Sequence, residues 1–367
     1  TAILGNIGVP VMERYDDLLP AGGIALELSS HQLQFMQASP HVAIITNFYQ
    51  EHLDHYRSYD EYIECKLNIL RFQNESDYAV LNLDDEGVVS RSLPLLKGQL
   101  IGVKYGHIEY VNDAVQLLND LIADRTAEFG DPVTVEPVIA GLYTYDEHEV
   151  RRLDLTLPVE ERTWEKMIAF GDNPALQGIH QKCDVALACA AVIANGGSPA
   201  GIKVATENFE GLPHRLEYVG RFSGIDFYND SIATIPHATE LAVTTLERVD
   251  TLLIGGMDRG LDYTAFVDFI AASDLNTIIG MPDTGHKIVE QLELRWGDDA
   301  QKKQNYIRAE SMAEAVEQAF AHTRQGRICL LSPAASSYNV YRDFAARGND
   351  FKKQIQQVDA KGGDQDS

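Results

Sequence analysis

The sequence predicts an α/β protein of two successive domains, each a parallel sheet covered by helices, and three observations carry that prediction. Short apolar runs alternate with stretches of helical periodicity along most of the chain, the pattern of strands buried on both faces. The runs end in polar residues, which is where ligands gather in parallel sheets, beyond the carboxyl ends of the strands. The chain has 367 residues, 45% of them hydrophobic, enough for more than one core.

Taken in order, GIALELS and HVAIITN read as buried strands. Between Tyr59 and Phe72 the apolar positions Tyr62, Ile63, Leu67 and Leu70 fall near helical spacing, which places Lys66 inside a helix, and DYAVLNLDD follows as strand and turn. From Gly106 to Gly178 the pattern is ragged and acidic and predicts an excursion of helix and short antiparallel strands, with the alternating DLTLPVEE among them. HQKCDVALACAAVIANGG is a buried helix closed by Gly196 and Gly197. A junction near Gly211-Leu212-Pro213 divides the chain into domains 1–211 and 212–367. Beyond it, RLEYVG and IDFYND read as strands, HATELAVTTL as a helix and DTLLIGG as a strand, with further pairs up to RICLLS and its following helix. The polar end KGGDQDS is expected to fray.

Charge and cysteine content narrow the function. With 55 acidic against 30 basic residues the formal net charge is -25, so a polyanion can approach only through a local basic pocket. Nucleic-acid and membrane-surface binding are therefore not expected. Cys65, Cys183, Cys189 and Cys329 are scattered without CxxC spacing, which suits reduced thiols in a cytoplasmic protein. No apolar run approaches the ~20 residues that span a bilayer, and no basic-then-apolar leader opens the sequence. A soluble cytoplasmic monomer is the expectation.

Four strand ends carry chemistry: Glu27 with Ser29 and Ser30, then His52 and Asp54 in TNFYQEHLDHY, Asp230 in FYNDS, and the hydroxyls of LLSPAASSYN. A carboxylate and an imidazole on neighbouring strand ends could hold a divalent cation. Each residue also has a plainer reading. Glu27 could cap a helix over SSHQL, His52 could be a satisfied histidine, and Lys66, flanked by Glu64, could be a solvated surface lysine.

In combination these segments resemble the Mur ligases of peptidoglycan synthesis, most closely those that add glutamate. GNIG at 5–8, ELSSHQL at 27–33, TN at 46–47, EHLDHY at 51–56, Lys66 and VLNLDD at 80–85 occur in order. GLPHRLE at 211–217, YNDS at 228–231, GG at 255–256 and LSPAASSYNVYRDFAARGNDF at 331–351 complete the series. The resemblance implies a central ATP-binding domain, incomplete at its N-terminus, followed by a Rossmann-like C-terminal domain. It implies ATP and Mg2+ as cofactors and UDP-N-acetylmuramoyl-L-alanine and glutamate as substrates, joined through an acyl phosphate. Glu27 and His52 would hold magnesium, as would Lys66 once carbamylated, and Asn6 and Ser29 would lie near the muramoyl substrate. Arg215 and Asp230 would face ATP, with Gln181 and Asp184 near adenine. Thr234, Arg259, Ser337, Tyr338 and Phe344 would form the pocket for the added amino acid, with LSPAASS expected to aim helix N–H groups at its carboxylate from a strand-to-helix turn.

The chain departs from the family pattern in three places. No GxxxxGK[ST] phosphate loop occurs in it. Relatives carry that loop shortly before the GNIG segment, and a UDP-binding domain before it. The chain, which opens with TAILGNIG, is thus expected to lack an upstream portion and to show little or no ligase activity by itself. The family's GxHNxxN segment reads GIHQKCD, and its DSKAT reads DSIAT, with Ile232 in place of a lysine. Arg259 stands where lysine is usual and could engage the substrate carboxylate instead. Three alternatives remain at this stage: a relative adding L-glutamate or another amino acid, a non-catalytic nucleotide or amino-acid binding module, and a dinucleotide oxidoreductase built on LLIGGMDRG.

Overall fold

The computed structural model describes residues 2–5, 13, 16, 22–49, 55–129, 138–171, 173–176, 178–296 and 304–363. They divide into a first unit of residues 1–171 and 179–208 and a second of residues 172–178 and 209–367.

In the first unit a six-stranded sheet runs in the order β3 (Val42–Ile45), β4 (Tyr78–Asn82), β5 (Gln99–Tyr105), β6 (Ile139–Tyr145), β7 (Glu149–Asp154), β8 (Trp164–Ala169). The strands β3 to β6 are parallel, and β7 and β8 turn antiparallel. The ragged region holds the expected helix, Val111–Phe129, and the expected antiparallel strands, β7 and β8, but it is no excursion: β6, β7 and β8 extend the main sheet itself. DLTLPVEE is not a strand either, because β7 ends at Asp154. The residues after it connect β7 to β8, braced where the Arg162 guanidinium donates to the carbonyls of Leu157 at 2.9 Å and Leu155 at 3.0 Å.

The helix Tyr59–Arg71 packs on this sheet for reasons visible in its sequence. The Ser58 hydroxyl accepts from the Glu61 N–H at 3.2 Å, and Asp60 and Glu61 in the first turn complement the positive helix end. Tyr62, Ile63, Leu67 and Leu70 then bury one face against Ala43, Ala79 and Leu81. The helix Ile179–Ala194 stops as expected, with the Gly197 N–H donating to the Val192 carbonyl at 2.8 Å and Gly196 at φ 78°. Only one of its faces is buried, through Cys183, Ala186, Leu187, Cys189 and Ala190.

A separate parallel pair joins β1 (Ala2–Gly5) to β2 (Ile24–Glu27), with Gly5 opposite Glu27. The expectation of a buried strand over GIALELS is overturned: every residue of β2 is exposed. Among the described residues β2 pairs with β1 alone, so no second layer covers its apolar side chains.

The second unit is one six-stranded sheet in the order β13 (Asn305–Arg308), β12 (Thr277–Gly280), β11 (Val249–Ile254), β14 (Ile328–Leu331), β10 (Ile225–Asn229), β9 (Glu217–Phe222). All neighbours are parallel except the antiparallel edge strand β9. Every residue of β11, β12 and β14 is buried because helices cover both faces. Leu252 and Ile254 face Phe266, Ile288 and Leu292 on one side, and Leu253 and Leu331 face Met312, Val316 and Phe351 on the other.

Beyond the carboxyl ends of β10, β11 and β14 lies the guanidinium of Arg347, on the helix Phe344–Gly363 and only 2% exposed. It donates to the Ser231 hydroxyl at 3.0 Å and the Ser231 carbonyl at 2.8 Å. Two further bonds reach the carbonyls of Gly255 at 3.2 Å and Ala335 at 3.0 Å. Three loops are thereby tied to one helix. Replacing Arg347 with Met would leave these buried acceptors unmet, each at a cost of about 1–3 kcal/mol. Arg347→Met is therefore expected to lower the second unit's stability by at least about 3 kcal/mol, read as a lower urea midpoint. Arg347→Lys should recover little of it, because one ammonium cannot span the fork. Unchanged midpoints would show that the loops hold without it.

Candidate active site

In the first unit the candidate site begins where β1 and β2 end. Gly5 lies at φ +123°, and a Cβ there would stand 2.0 Å from the Glu27 carbonyl. Only glycine lets the backbone approach the Glu27 position this closely. Glu27 itself is exposed at the end of β2. The short helix Ser30–Leu33 is capped by Ser29 rather than by Glu27: the Gln32 N–H donates to the Ser29 hydroxyl at 3.3 Å, and the Ser29 N–H to Gln32 Oε1 at 2.8 Å. The Ser29 hydroxyl also donates to Gln32 Oε1 at 3.1 Å. It therefore has acceptor capacity left for a substrate but no second proton to give.

The same structure brings the Lys66 helix against this segment. Asn68 donates its side-chain amide to the carbonyls of Leu33 at 3.0 Å and Gln34 at 3.3 Å. A row of rings runs alongside: His31 lies 4.3 Å from His55 and 5.5 Å from Tyr56, Tyr56 lies 5.5 Å from Tyr62, and the Lys66 ammonium sits 5.0 Å over the Tyr62 ring. Three distant stretches of sequence thus meet around Lys66. Asn6 and His52 lie outside the described residues. Sequence reasoning passed over His31, His55 and Tyr56, although HLDHY and SSHQL place them beside the chosen residues.

Gln181 and Asp184 stand near the start of the helix Ile179–Ala194, the first half-buried and the second exposed. Burial, with the carboxylates of Asp85 and Asp184 nearby, raises the Tyr49 phenol pKa. Between them Lys182, 8% exposed, donates to the Glu147 carbonyl at 2.8 Å and lies 5.5 Å from the Phe170 ring. A lysine in so apolar a helix was the available signal, and it went unread. The four cysteines are buried free thiols, and burial pushes Cys183 up to about 11, which keeps it protonated and inert.

In the second unit Asp230 follows β10 and is 4% exposed. Its carboxylate accepts from the Leu216 N–H at 3.2 Å and the Ser332 hydroxyl at 2.8 Å, and the Thr239 hydroxyl, which donates to the Ser332 carbonyl at 3.1 Å, lies 3.0 Å from the Ser332 hydroxyl oxygen. Burial pushes the Asp230 carboxyl up to about 7, against the opposing pull of Ser332, the Leu216 N–H and the cation of Arg215. Arg215 is exposed.

The residues expected around the added amino acid lie on the loops that Arg347 joins. Half-buried Thr234 follows Ser231, whose hydroxyl donates to the Phe344 carbonyl at 2.8 Å. The Arg259 loop meets the Ser337 loop where the Met257 N–H donates to the Ser336 carbonyl at 2.8 Å. Arg259 and Tyr338 are exposed, Phe344 is half-buried and Ser337 is buried. LSPAASS is not a strand-to-helix turn: residues 332–343 separate β14 from the helix Phe344–Gly363. Its carbonyls and the Ser332 hydroxyl bond inward, while the buried Ser336 hydroxyl has no partner among the described residues. A small, shallow cleft opens between Gly256, Pro282, Glu310, Asn339 and Arg347, and none of the expected residues lines it. Gly256 packs its backbone closely against the Ser337 loop, since a Cβ there would stand 2.2 Å from the Ser336 carbonyl and 2.9 Å from the Arg347 guanidinium.

Comparison with known proteins agrees with this division. Residues 19–106 match the Mur ligase middle domain, and residues 214–335 match the Mur ligase glutamate ligase domain. The chain is 32% identical over 360 residues to the UDP-N-acetylmuramoylalanine–D-glutamate ligase of Symbiobacterium thermophilum, covering 97% of this chain and 69% of that protein. It is 30% identical over 359 residues to the ligase of the same name from Acetivibrio thermocellus, covering 97% and 68%. Its fold is similar to that of the MurF ligase from Thermotoga maritima in complex with ADP, with TM-score 0.57 and 12% identity over 97% of this chain and 74% of that one.

The raised Asp230 pKa has a consequence for stability. From about pH 4 to about pH 7 the unfolded carboxyl has ionised while the folded one keeps its proton. The folded state then binds more protons, so this group's contribution falls as pH rises, by up to about 1.4 kcal/mol per unit. Above about pH 7 both forms are ionised and the fall ends. Asp230→Asn is expected to remove this component, flattening the urea-midpoint profile between pH 4 and 7. An unaltered slope would show that Asp230 ionises normally.

Proposed function

The chain belongs to the Mur ligase family, and from that premise we propose that it joins D-glutamate to UDP-N-acetylmuramoyl-L-alanine with ATP, in peptidoglycan synthesis. The observation that carries this reading is the match to D-glutamate ligases over 97% of the chain, through both units. The terminal phosphoryl group of ATP passes to the alanyl carboxylate, leaving ADP. The glutamate amine then attacks the acyl phosphate, phosphate departs, and the amine loses a proton to leave an amide.

Residue roles are carried over from the family motifs. Arg215 and Asp230, with Gln181 and Asp184, serve ATP, while Asn6 and Ser29 serve the muramoyl substrate. Thr234, Arg259, Ser337, Tyr338 and Phe344 hold glutamate, on loops whose relative position Arg347 maintains. Magnesium, when bound, neutralises charge gathered on the phosphates and carboxylate. Glu27 suits it as an exposed carboxylate at a strand end, joined by His52. Lys66 fits only as a carbamate, because the ammonium over Tyr62 repels a cation. Ile232 removes one positive charge from the amino-acid pocket, and the guanidinium of Arg259, where lysine is usual, compensates by engaging the substrate carboxylate through two hydrogen bonds.

The absence of GxxxxGK[ST] from these 367 residues favours a second reading, a binding module without turnover. Phosphate release separates the two, using protein expressed from its complete reading frame with UDP-N-acetylmuramoyl-L-alanine, ATP, magnesium and either D- or L-glutamate. Release that depends on D-glutamate is expected; binding without release would favour the module. In the active protein, Arg259→Ala should raise the glutamate KM roughly tenfold or more, the scale of one charged hydrogen bond, with the ATP KM unchanged. Equal changes in both would remove Arg259 from the glutamate pocket.

A further inference from the structure

Arg215 is held between two residues in an uncommon backbone conformation. His214 has φ 67° and Leu216 φ 46°, and neither is a glycine. Such residues persist only where their surroundings over-determine them. Here the anchors are on every side. The His214 N–H donates to Glu217 Oε2 at 2.9 Å, the Ile232 N–H donates to the His214 carbonyl at 3.1 Å, and the Leu216 N–H donates to Asp230. Lys352 fixes Glu217 from the helix Phe344–Gly363 at 2.7 Å.

Asn229, the last residue of β10 and fully buried, joins these anchors. Its side-chain nitrogen lies 2.9 Å from both Glu217 Oε2 and His214 Nδ1, while its side-chain oxygen accepts from the Ser231 N–H at 3.2 Å. The amide orientation is thereby set: one end faces two acceptors and the other a donor. Burial and the Lys352 cation lower the His214 pKa, so the ring is neutral and Nδ1 can accept. Gly348 permits the packing, since a Cβ there would stand 2.3 Å from His214 Nδ1 and 2.9 Å from the Asn229 nitrogen.

We propose that Asn229 is a positioning residue for Arg215, clamping His214 and Glu217 so that the strained backbone presents the Arg215 guanidinium in one place. The link to nucleotide rests on the reading of Arg215 as an ATP-facing group. The clamp itself rests on the hydrogen bonds alone.

Asn229→Asp keeps the size of the side chain and replaces its donor with an oxygen facing Glu217. In this variant the Leu216 and His214 amides should exchange hydrogen at least tenfold faster, with β11 amides unchanged, and the Kd for ATP should rise about tenfold. Combined with Arg215→Ala, it should weaken ATP binding no further than Arg215→Ala does. His214→Asn, which suits a left-handed backbone and retains an acceptor, should stay near the parent protein, whereas His214→Leu should behave as Asn229→Asp does. This second pair carries the test if Asn229→Asp does not fold. Unchanged exchange at Leu216, or additive losses in the double variant, would overturn the proposal. Faster exchange with no change in ATP affinity in either Arg215→Ala or Asn229→Asp would leave the clamp standing and remove Arg215 from the nucleotide site.

Discussion

The guanidinium of Arg347 is the interaction on which the second unit's site depends. A buried cation is costly unless its donors are met, and here four hydrogen bonds, out of five possible donors, reach neutral oxygens beyond the ends of β10, β11 and β14. Burial lowers its pKa only to about 10, so the charge persists at neutral pH. The fork geometry matters as much as the charge. A planar group with donors in several directions sets the spacing of three loops at once, and those loops carry Thr234, Arg259 and Ser337, while Phe344 opens the helix that carries Arg347 itself.

A second polar network lies beside it and is organised differently. Asp230, Ser332 and Thr239 share hydrogen bonds in a buried setting that weakens the acidity of the carboxyl. Asn229, His214 and Glu217 extend the polar chain to Lys352 on the helix that also carries Arg347. Helix, strand end and the backbone around Arg215 are therefore coupled through side chains that are nearly all buried. A disturbance at one of them should be felt by its neighbours because interior polar groups have no water to fall back on.

The first unit uses another principle. Around Lys66 the contacts are mainly aromatic, running from His31 and His55 through Tyr56 to Tyr62. Rings pack in offset or edge-on arrangements without demanding a fixed set of donors. Glu27, by contrast, is positioned through backbone: the parallel pairing of β1 with β2, the close approach allowed by Gly5, and the cap formed by Ser29 immediately after it.

How much of this the amino-acid sequence determined by itself follows from the range of the forces involved. Alternating apolar runs and helical spacing are local, so the strands of the second unit, the helix Tyr59–Arg71 and the glycine stop after Ala194 were legible, as was the family through its ordered motifs. Partners distant in the chain were not. The exposure of β2 depends on which layers reach it, so that reading failed; the helix and antiparallel strands between Gly106 and Gly178 were legible, but their inclusion in the main sheet depends on pairing with β5 and was not. LSPAASS looked like an anion-binding turn because small hydroxyl residues suit one. Only the tertiary structure decided that Asp230, Thr239 and Arg347 claim its polar atoms first. For the same reason Arg347 and Asn229 passed unnoticed in FAARGNDF and FYNDS: a residue's partners, unlike its periodicity, are settled by other chain segments, about a hundred residues away for Arg347 and across the β9–β10 pair for Asn229.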